Sequence, residues 1–238
     1  MALDQALMDD LARRRAPARP PKRILRFYSW DAPTLSFGRM QRPPHDLLLR
    51  CKELGIATVR RPTGGRAILH HREVTFSIIA PAAAFGSVMH SYRVFARAIA
   101  AGLHTLGIEA QLCQPQHKPR RGELLCFAAP AQCDLEVGGR KLLGSAQARQ
   151  AGVLLQQNSL PLVLAHDLKG QLFGATAAEE MRVATDLTSA LGRASAVSEI
   201  GDAIIAGFQS ELGADFDNDV VAPAEVVAAE RLRAAFSL

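Results

Sequence analysis

The chain has 238 residues, 48% apolar and 21% charged, enough for one large α/β domain with a sizeable core. No apolar run approaches the ~20 residues of a membrane-spanning helix, and the opening MALDQALMDD lacks the basic-then-apolar order of a secretory signal, so a cytoplasmic protein with no membrane partner is expected. The net charge of +5 fits a solvated Arg-rich surface or an acidic partner, while 5% aromatics offer no base-stacking platform and argue against nucleic acid.

Leu3, Leu7 and Leu11 fall on one face of a short N-terminal helix, which the prolines at 17, 20 and 21 end. ILRFYSW and TLSFGRM read as strands joined by a DAP turn. HDLLLRCKELG reads as a helix stopped at Gly55, and IATVRR as a strand that runs into a loop. AILHHREVTFSIIAP predicts strand, turn and strand. SVMHSYRVFARAIAAGLHTLG predicts a long helix ending at Gly107, and IEAQLCQ a strand. The segment PQHKPRRGELLCFAAPAQ, with three prolines, reads as a loop. CDLEVGGRKLLGSAQARQAGVLLQQNSL carries a hairpin signal, because a tight turn at Gly138-Gly139 needs positive φ at both central residues. Residues 166–238 read as a mostly helical C-terminal part of a single domain spanning 1–238. The order predicts an α+β fold of mixed β-sheets with surrounding helices.

Three stretches carry candidate chemistry. In RRPTGGRAILHH, Gly64 and Gly65 can bring backbone N–H groups close to an anion or a carbonyl oxygen, and Arg60, Arg61 and Arg66 add positive charge. The same residues also make an ordinary Gly-Gly turn with surface arginines. Neither GxGxxG nor GxxxxGK[ST] occurs here. In GGRKLLGSAQAR, period two sets Lys141 opposite Arg140 and Leu142. A solvent-facing lysine is the plain expectation, and its loss should then cost within about 0.5 kcal/mol. The small run Gly144-Ser145-Ala146 would let a ligand chain lie against the sheet.

Cys126 follows Arg120 and Arg121 in the Pro-rich loop, where nearby positive charge favours a thiolate nucleophile. Cys51 and Cys113 read as packing residues, and Cys133 as ambiguous. The four cysteines form no CxxC pair, and their spacing with His70 and His71 matches no usual zinc site, so neither metal nor cofactor is expected.

Taken together, RFYSWDAPTLSFGRMQ, VRRPTGGRAILHH and CFAAPAQCDLEVGGRKLLGSAQARQAGVLLQQNSL resemble the lipoate/biotin protein ligase superfamily. They look most like its cysteine-dependent octanoyltransferases of the LipM type. The resemblance covers nearly the whole chain and implies the BPL/LplA catalytic-domain fold. It implies an enzyme that takes an octanoyl group from acyl carrier protein onto a cysteine and passes it to a lysine of an apo-lipoyl domain, such as glycine cleavage H protein. On this chain it implies Cys126 and Lys141 as catalytic residues. It places Gly64, Gly65, Arg66 and His70 at the substrate, and the readings above add Arg61, Gly144, Ser145 and Ala146 as substrate-binding residues.

The sequence departs from the family pattern at His71, Gln157, Asn158 and the Cys133-Asp134 pair. Two other readings follow. The first is an ATP-dependent lipoate ligase, or the large subunit of a ligase split over two chains; Arg66, where ligases tend to carry a third glycine, and Cys126 argue against it. The second is a degenerate, non-catalytic acyl-binding homologue.

Overall fold

The computed structural model describes residues 1–13, 22–113 and 134–238. The chain runs through α1 (Ala2–Arg13), β1 (Ile24–Tyr28), β2 (Thr34–Phe37), α2 (His45–Glu53), β3 (Ala57–Arg60), β4 (Ile68–His70) and β5 (Glu73–Pro81). It continues with α3 (Val88–His104), β6 (Gln111–Leu112), β7 (Leu135–Val137), β8 (Arg140–Gln150) and β9 (Val153–Pro161). The helices α4 (His166–Phe173), α5 (Ala175–Val183), α6 (Leu187–Leu191), α7 (Val197–Leu212) and α8 (Pro223–Leu232) follow. No helix among the described residues is long and apolar enough to cross a membrane.

Six strands form an antiparallel sheet in the order β1-β5-β9-β8-β7-β6. A smaller sheet has β2 between a parallel β3 and an antiparallel β4. This is the α+β fold expected from the sequence. On one face of the large sheet, Val74, Phe76 and Ile78 of β5 and Leu154 and Leu160 of β9 pack on Phe95, Ile99 and Leu103 of α3 and Ile200, Ile204 and Phe208 of α7. The two helices touch backbone to backbone. A Cβ on Gly102 would lie 2.2 Å from the Ala203 carbonyl oxygen, and one on Gly207 2.1 Å from that of Ala98. The apolar stripe of α7 thus completes the core begun by α3, so the helical C-terminal part shares its core with the sheet.

The opposite face is covered at one end by α1, whose Leu7, Met8 and Leu11 pack on Ile79, Val153 and Leu155. The small sheet, α2 and α4 close around Leu35, Phe37, Cys51 and Leu172. Cys51 is fully buried there, the packing role its helix position suggested.

Both glycines of the expected hairpin turn have positive φ, +57° at Gly138 and +73° at Gly139. A second tight turn, between β8 and β9, places Ala151 at φ +49° and Gly152 at +77°. The strand expected over IEAQLCQ is reduced to Gln111–Leu112, because its partner β7 is itself only three residues long.

Candidate active site

Two arginines at the end of β3 organise the chain here, Arg60 the segment that follows β2 and Arg61 the loop between β3 and β4. Arg60 Nη1 donates to the carbonyl oxygens of Gly38, Arg39 and Gln41, at 3.3, 3.2 and 2.6 Å. Arg61 is 2% exposed and turns inward. Its Nε and Nη2 donate to Gly64 O at 3.1 and 2.7 Å, Nη2 also to Arg66 O at 2.7 Å, and Nη1 to Ser36 O and Oγ, both at 3.1 Å. A guanidinium presents five donors in a rigid fork, and here the fork is the template around which the loop folds.

Gly65 takes φ +88°, and its carbonyl oxygen occupies the place where a Cβ on Gly38 would stand, 2.0 Å away. On its other side a Cβ on Gly65 would meet Ala146 Cβ at 3.9 Å. The loop is therefore laid over β8 at Ala146, with Gly65 exposed and Gly64 and Arg66 half-buried.

Beneath it, Thr63 Oγ1 donates to Gln157 Oε1 at 2.8 Å, and Gln157 Nε2 donates to Asp4 Oδ2 of α1 at 2.7 Å. Ser77 Oγ and Arg26 Nη1 donate to Asp4 Oδ1 at 2.9 and 2.8 Å. Gln157, a departure from the family pattern, thus ties the loop to α1. The other departure, Asn158, faces the α3 side, where its Oδ1 accepts from Ser145 Oγ at 2.8 Å and Gln156 Nε2 at 2.9 Å.

His70 is 3% exposed. Its Nε2 lies 2.7 Å from Ser36 Oγ and its Nδ1 2.6 Å from Glu73 Oε1, and the ring stacks on Trp30 with centroids 4.2 Å apart. Glu73 also accepts from Ser159 Oγ at 2.6 Å and from the Thr75 hydroxyl. Burial alone would raise the Glu73 carboxyl; the charge of His70 and the three donors His70, Ser159 and Thr75 outweigh it and hold the pKa below the ordinary value.

Lys141 is 1% exposed, contrary to the solvent-facing expectation. Its ammonium meets Asp134 Oδ2 at 2.6 Å, and Asp134 is equally buried. The reason is the flanking chain. β7 lies on one side of β8, and on the other Thr185 N donates to Lys141 O at 2.8 Å while Arg140 Nε donates to Ala184 O at 2.9 Å. Asp134 is held by neighbours too: its carbonyl accepts from Cys113 N at 2.9 Å, and its Oδ1 accepts from Ser145 N at 3.3 Å.

The structure therefore divides the expected site residues. Gly65 lies near Ala146, since a Cβ added at 65 would come within 3.9 Å of Ala146 Cβ, and Gly144 shares the face of Ala146 by the alternation of β8. The Ser145 side chain takes the opposite face, bonded to Asn158, so the small run does not lie on one surface. Arg61 and His70 sit behind the loop, with their donors engaged by protein groups. Cys126 and Cys133 lie outside the described residues.

The cysteines within the described residues are unsuited to nucleophilic work. Burial raises the Cys51 thiol. Cys113 is pushed up to about 12 by burial first, then by the charges of Asp134 and Glu136. Reasoning from sequence missed Ser36, Glu73 and Asp134. The alternation of EVTFSIIAP was the available signal for Glu73, since a polar residue at every second position marks a face. Nothing local marked the other two.

A Gly-rich loop tied down by a buried guanidinium, next to an antiparallel sheet that carries the buried Glu73–His70 and Asp134–Lys141 pairs, is the setting in which the expected site residues lie. The chain belongs to the lipoyl protein ligase A/B catalytic domain family, which residues 1–209 match. It is 36% identical to the octanoyltransferase LipM of Kyrpidia tusciae, over 97% of this chain and 87% of that protein. It is 40% identical to the octanoyltransferase LipM of Lysinibacillus sphaericus, over 69% of this chain and 61% of that one. Among solved structures, the bi-partite lipoate protein ligase of Thermoplasma acidophilum superposes with a TM-score of 0.72 at 23% identity, over 97% of this chain and 85% of that one. That likeness is one of fold.

Proposed function

We propose that this chain is an octanoyltransferase of lipoate biosynthesis, moving an octanoyl group from octanoyl-acyl carrier protein through a thioester on Cys126 to a lysine of an apo-lipoyl domain. The observation that carries the reading is the match to octanoyltransferases along nearly the whole chain, joined to a Gly-rich loop laid over Ala146. The Cys126 thiolate attacks the donor thioester carbonyl; the carbon–sulfur bond to the carrier's thiol breaks, and that thiolate leaves. The neutral amine of the acceptor lysine then attacks the new thioester, forming an amide and returning the cysteine thiol.

Each attack builds an oxyanion, and preorganised donors at that point are worth ~10²–10³ in rate apiece. The Gly64-Gly65-Arg66 backbone and the Lys141 ammonium are the groups assigned to that work. Asp134 fixes where the ammonium points, and Arg61 and His70 support the loop from behind. The net positive charge suits an acidic carrier protein as donor.

The test is intact mass after incubation with octanoyl-acyl carrier protein. A gain of one octanoyl group, removed by hydroxylamine and absent from Cys126→Ala, is expected, with ATP and magnesium having no effect. An adduct that maps to Cys133 would reassign the nucleophile. Robust ATP-dependent modification of an acceptor from free octanoate would replace this reading with a ligase.

A further inference from the structure

A line of buried side chains runs from β5 to the loop. Its members, Glu73, His70, Ser36 and Arg61, are 8%, 3%, 0% and 2% exposed. The proton order along it is fixed by what each group can do. A guanidinium only donates, so Ser36 Oγ accepts from Arg61 Nη1 at 3.1 Å. The carboxylate of Glu73 only accepts, so His70 donates through Nδ1–H, at 2.6 Å. Ser36 Oγ then meets His70 Nε2 at 2.7 Å, giving its hydrogen to a neutral ring or accepting from a charged one. Either way every link is made, and the line ends where Arg61 holds the carbonyl oxygens of Gly64 and Arg66.

Rotation of the imidazole is blocked from the side. Trp30 stacks on it with an interplanar angle of 16°, and Trp30 Nε1 donates to Thr75 Oγ1 at 2.9 Å, whose hydroxyl in turn donates to Glu73.

We propose that Glu73 and Ser36 are positioning residues, which act through His70 and Arg61 to set the conformation of the Gly64-Gly65-Arg66 loop. Ser36 reaches the loop only through the Arg61 side chain, and Glu73 only through His70. Their effect on catalysis rests on the reading above, in which that loop cradles the reacting carbonyl. A loop that carries an oxyanion site has to hold its N–H groups to a fraction of an ångström, because a 1 Å misplacement can cost ~10²-fold in rate. A guanidinium on a long side chain holds such a position only if something fixes its own far side. Here the Ser36 carbonyl and hydroxyl share that work, and a His–Glu pair fixes the hydroxyl.

The variants are Ser36→Ala, which removes one oxygen atom, and the isosteric Glu73→Gln, alone and combined. Three readouts apply. Amide exchange over residues 61–66 reports loop order. Emission from Trp30, the one tryptophan of the sequence, reports the environment of His70. Single-turnover acylation by octanoyl-acyl carrier protein reports function.

Loop exchange is expected to quicken in both variants while amides of β5 and β9 stay protected, and Trp30 emission is expected to shift in Glu73→Gln. The limiting acylation rate is expected to fall by about tenfold or more with donor half-saturation little changed, and the double variant to be no worse than the poorer single one, because both act on one line. Unchanged loop exchange in a folded Ser36→Ala protein, or additive losses in the double variant, would overturn the proposal. A loosened loop with wild-type acylation would uphold the positioning role and overturn instead the assignment of the loop to the acyl group. Should Glu73→Gln fail to fold, the one-atom change at Ser36 still decides.

Discussion

The two faces of β5 are both buried, yet they are built on opposite principles. Val74, Phe76, Ile78 and Ala80 point into the apolar layer under α3 and α7. Glu73, Thr75 and Ser77, one residue out of phase, are as deeply buried but face hydroxyls, an imidazole and carboxyl groups, under the loop and α1. The first face gains free energy by removing hydrocarbon from water and tolerates few changes of volume. Apart from Ile79 under α1, the second gains little from burial, since every polar atom taken from water needs a partner in return. What it gains is fixed direction, and the loop sits above it. The difference teaches that a strand can use one face for stability and the other for geometry.

The comparison can be broken most severely at Lys141. Removing one partner of a buried ion pair strands the other, so Lys141→Ala should cost about 3–5 kcal/mol in urea unfolding as well as abolish acyl transfer. The much smaller loss expected of a surface lysine does not apply to a side chain paired at 2.6 Å out of water. Replacing both members, Lys141→Met with Asp134→Leu, should recover most of the stability and none of the transfer. A double variant as unstable as the single one would show that the pair is not the cause.

On the apolar side, Gly207→Ala forces a methyl against the Ala98 carbonyl and should cost about 1–3 kcal/mol, read as a lowered melting temperature. Acyl transfer measured well below that temperature should hardly change, because this helix crossing supports the sheet from its other face.

Glu73 predicts an acid limb. Its folded pKa lies below the ordinary carboxylate value, so the stability it lends is fully present above the unfolded pKa of ~4.3 and is lost as pH falls through the folded value. Wild type should therefore lose stability from about pH 5 downward more steeply than Glu73→Gln, which cannot ionise. Parallel curves of unfolding free energy against pH would show that Glu73 is not the group titrating.

The smallest effect concerns the β8–β9 turn. Ala151 sits at φ +49°, where asparagine is better tolerated, and Asn-Gly is the favoured tight-turn pair. Ala151→Asn should add about 0.5–1 kcal/mol and leave transfer unchanged, by urea unfolding and single-turnover assay.

These cases also show what could be read from the chain alone. The turn at Gly138-Gly139 was legible because positive φ at two successive residues calls for glycine. The long α3 was legible because its apolar stripe runs to a glycine stop. Gly64, Gly65 and Ala146 could be nominated because small residues matter where chains approach closely. Period two could say that Lys141 and Leu142 face opposite ways, but not that residues 184–185, over forty positions later, would cover the strand beside them. Nor could it turn Arg61 inward or find Ser36 as the partner of His70, since both depend on how β2, β3 and β4 lie together. Alternation gives the phase of a face; only the assembled layers decide whether that face meets solvent or a second set of side chains.

The contact between Gly38 and Gly65 has a consequence for how this enzyme can change. The Gly65 oxygen fills the place of any side chain at 38, so the height of the loop above Ala146 is set from the end of β2. A lineage that acquired even alanine at 38 would have to move the loop in the same step. Room beneath the loop can then be gained only at position 146, by Ala146→Gly, since position 144 already carries glycine. Selection from a library that varies all four positions should find its active members with glycine kept at 38 and 65.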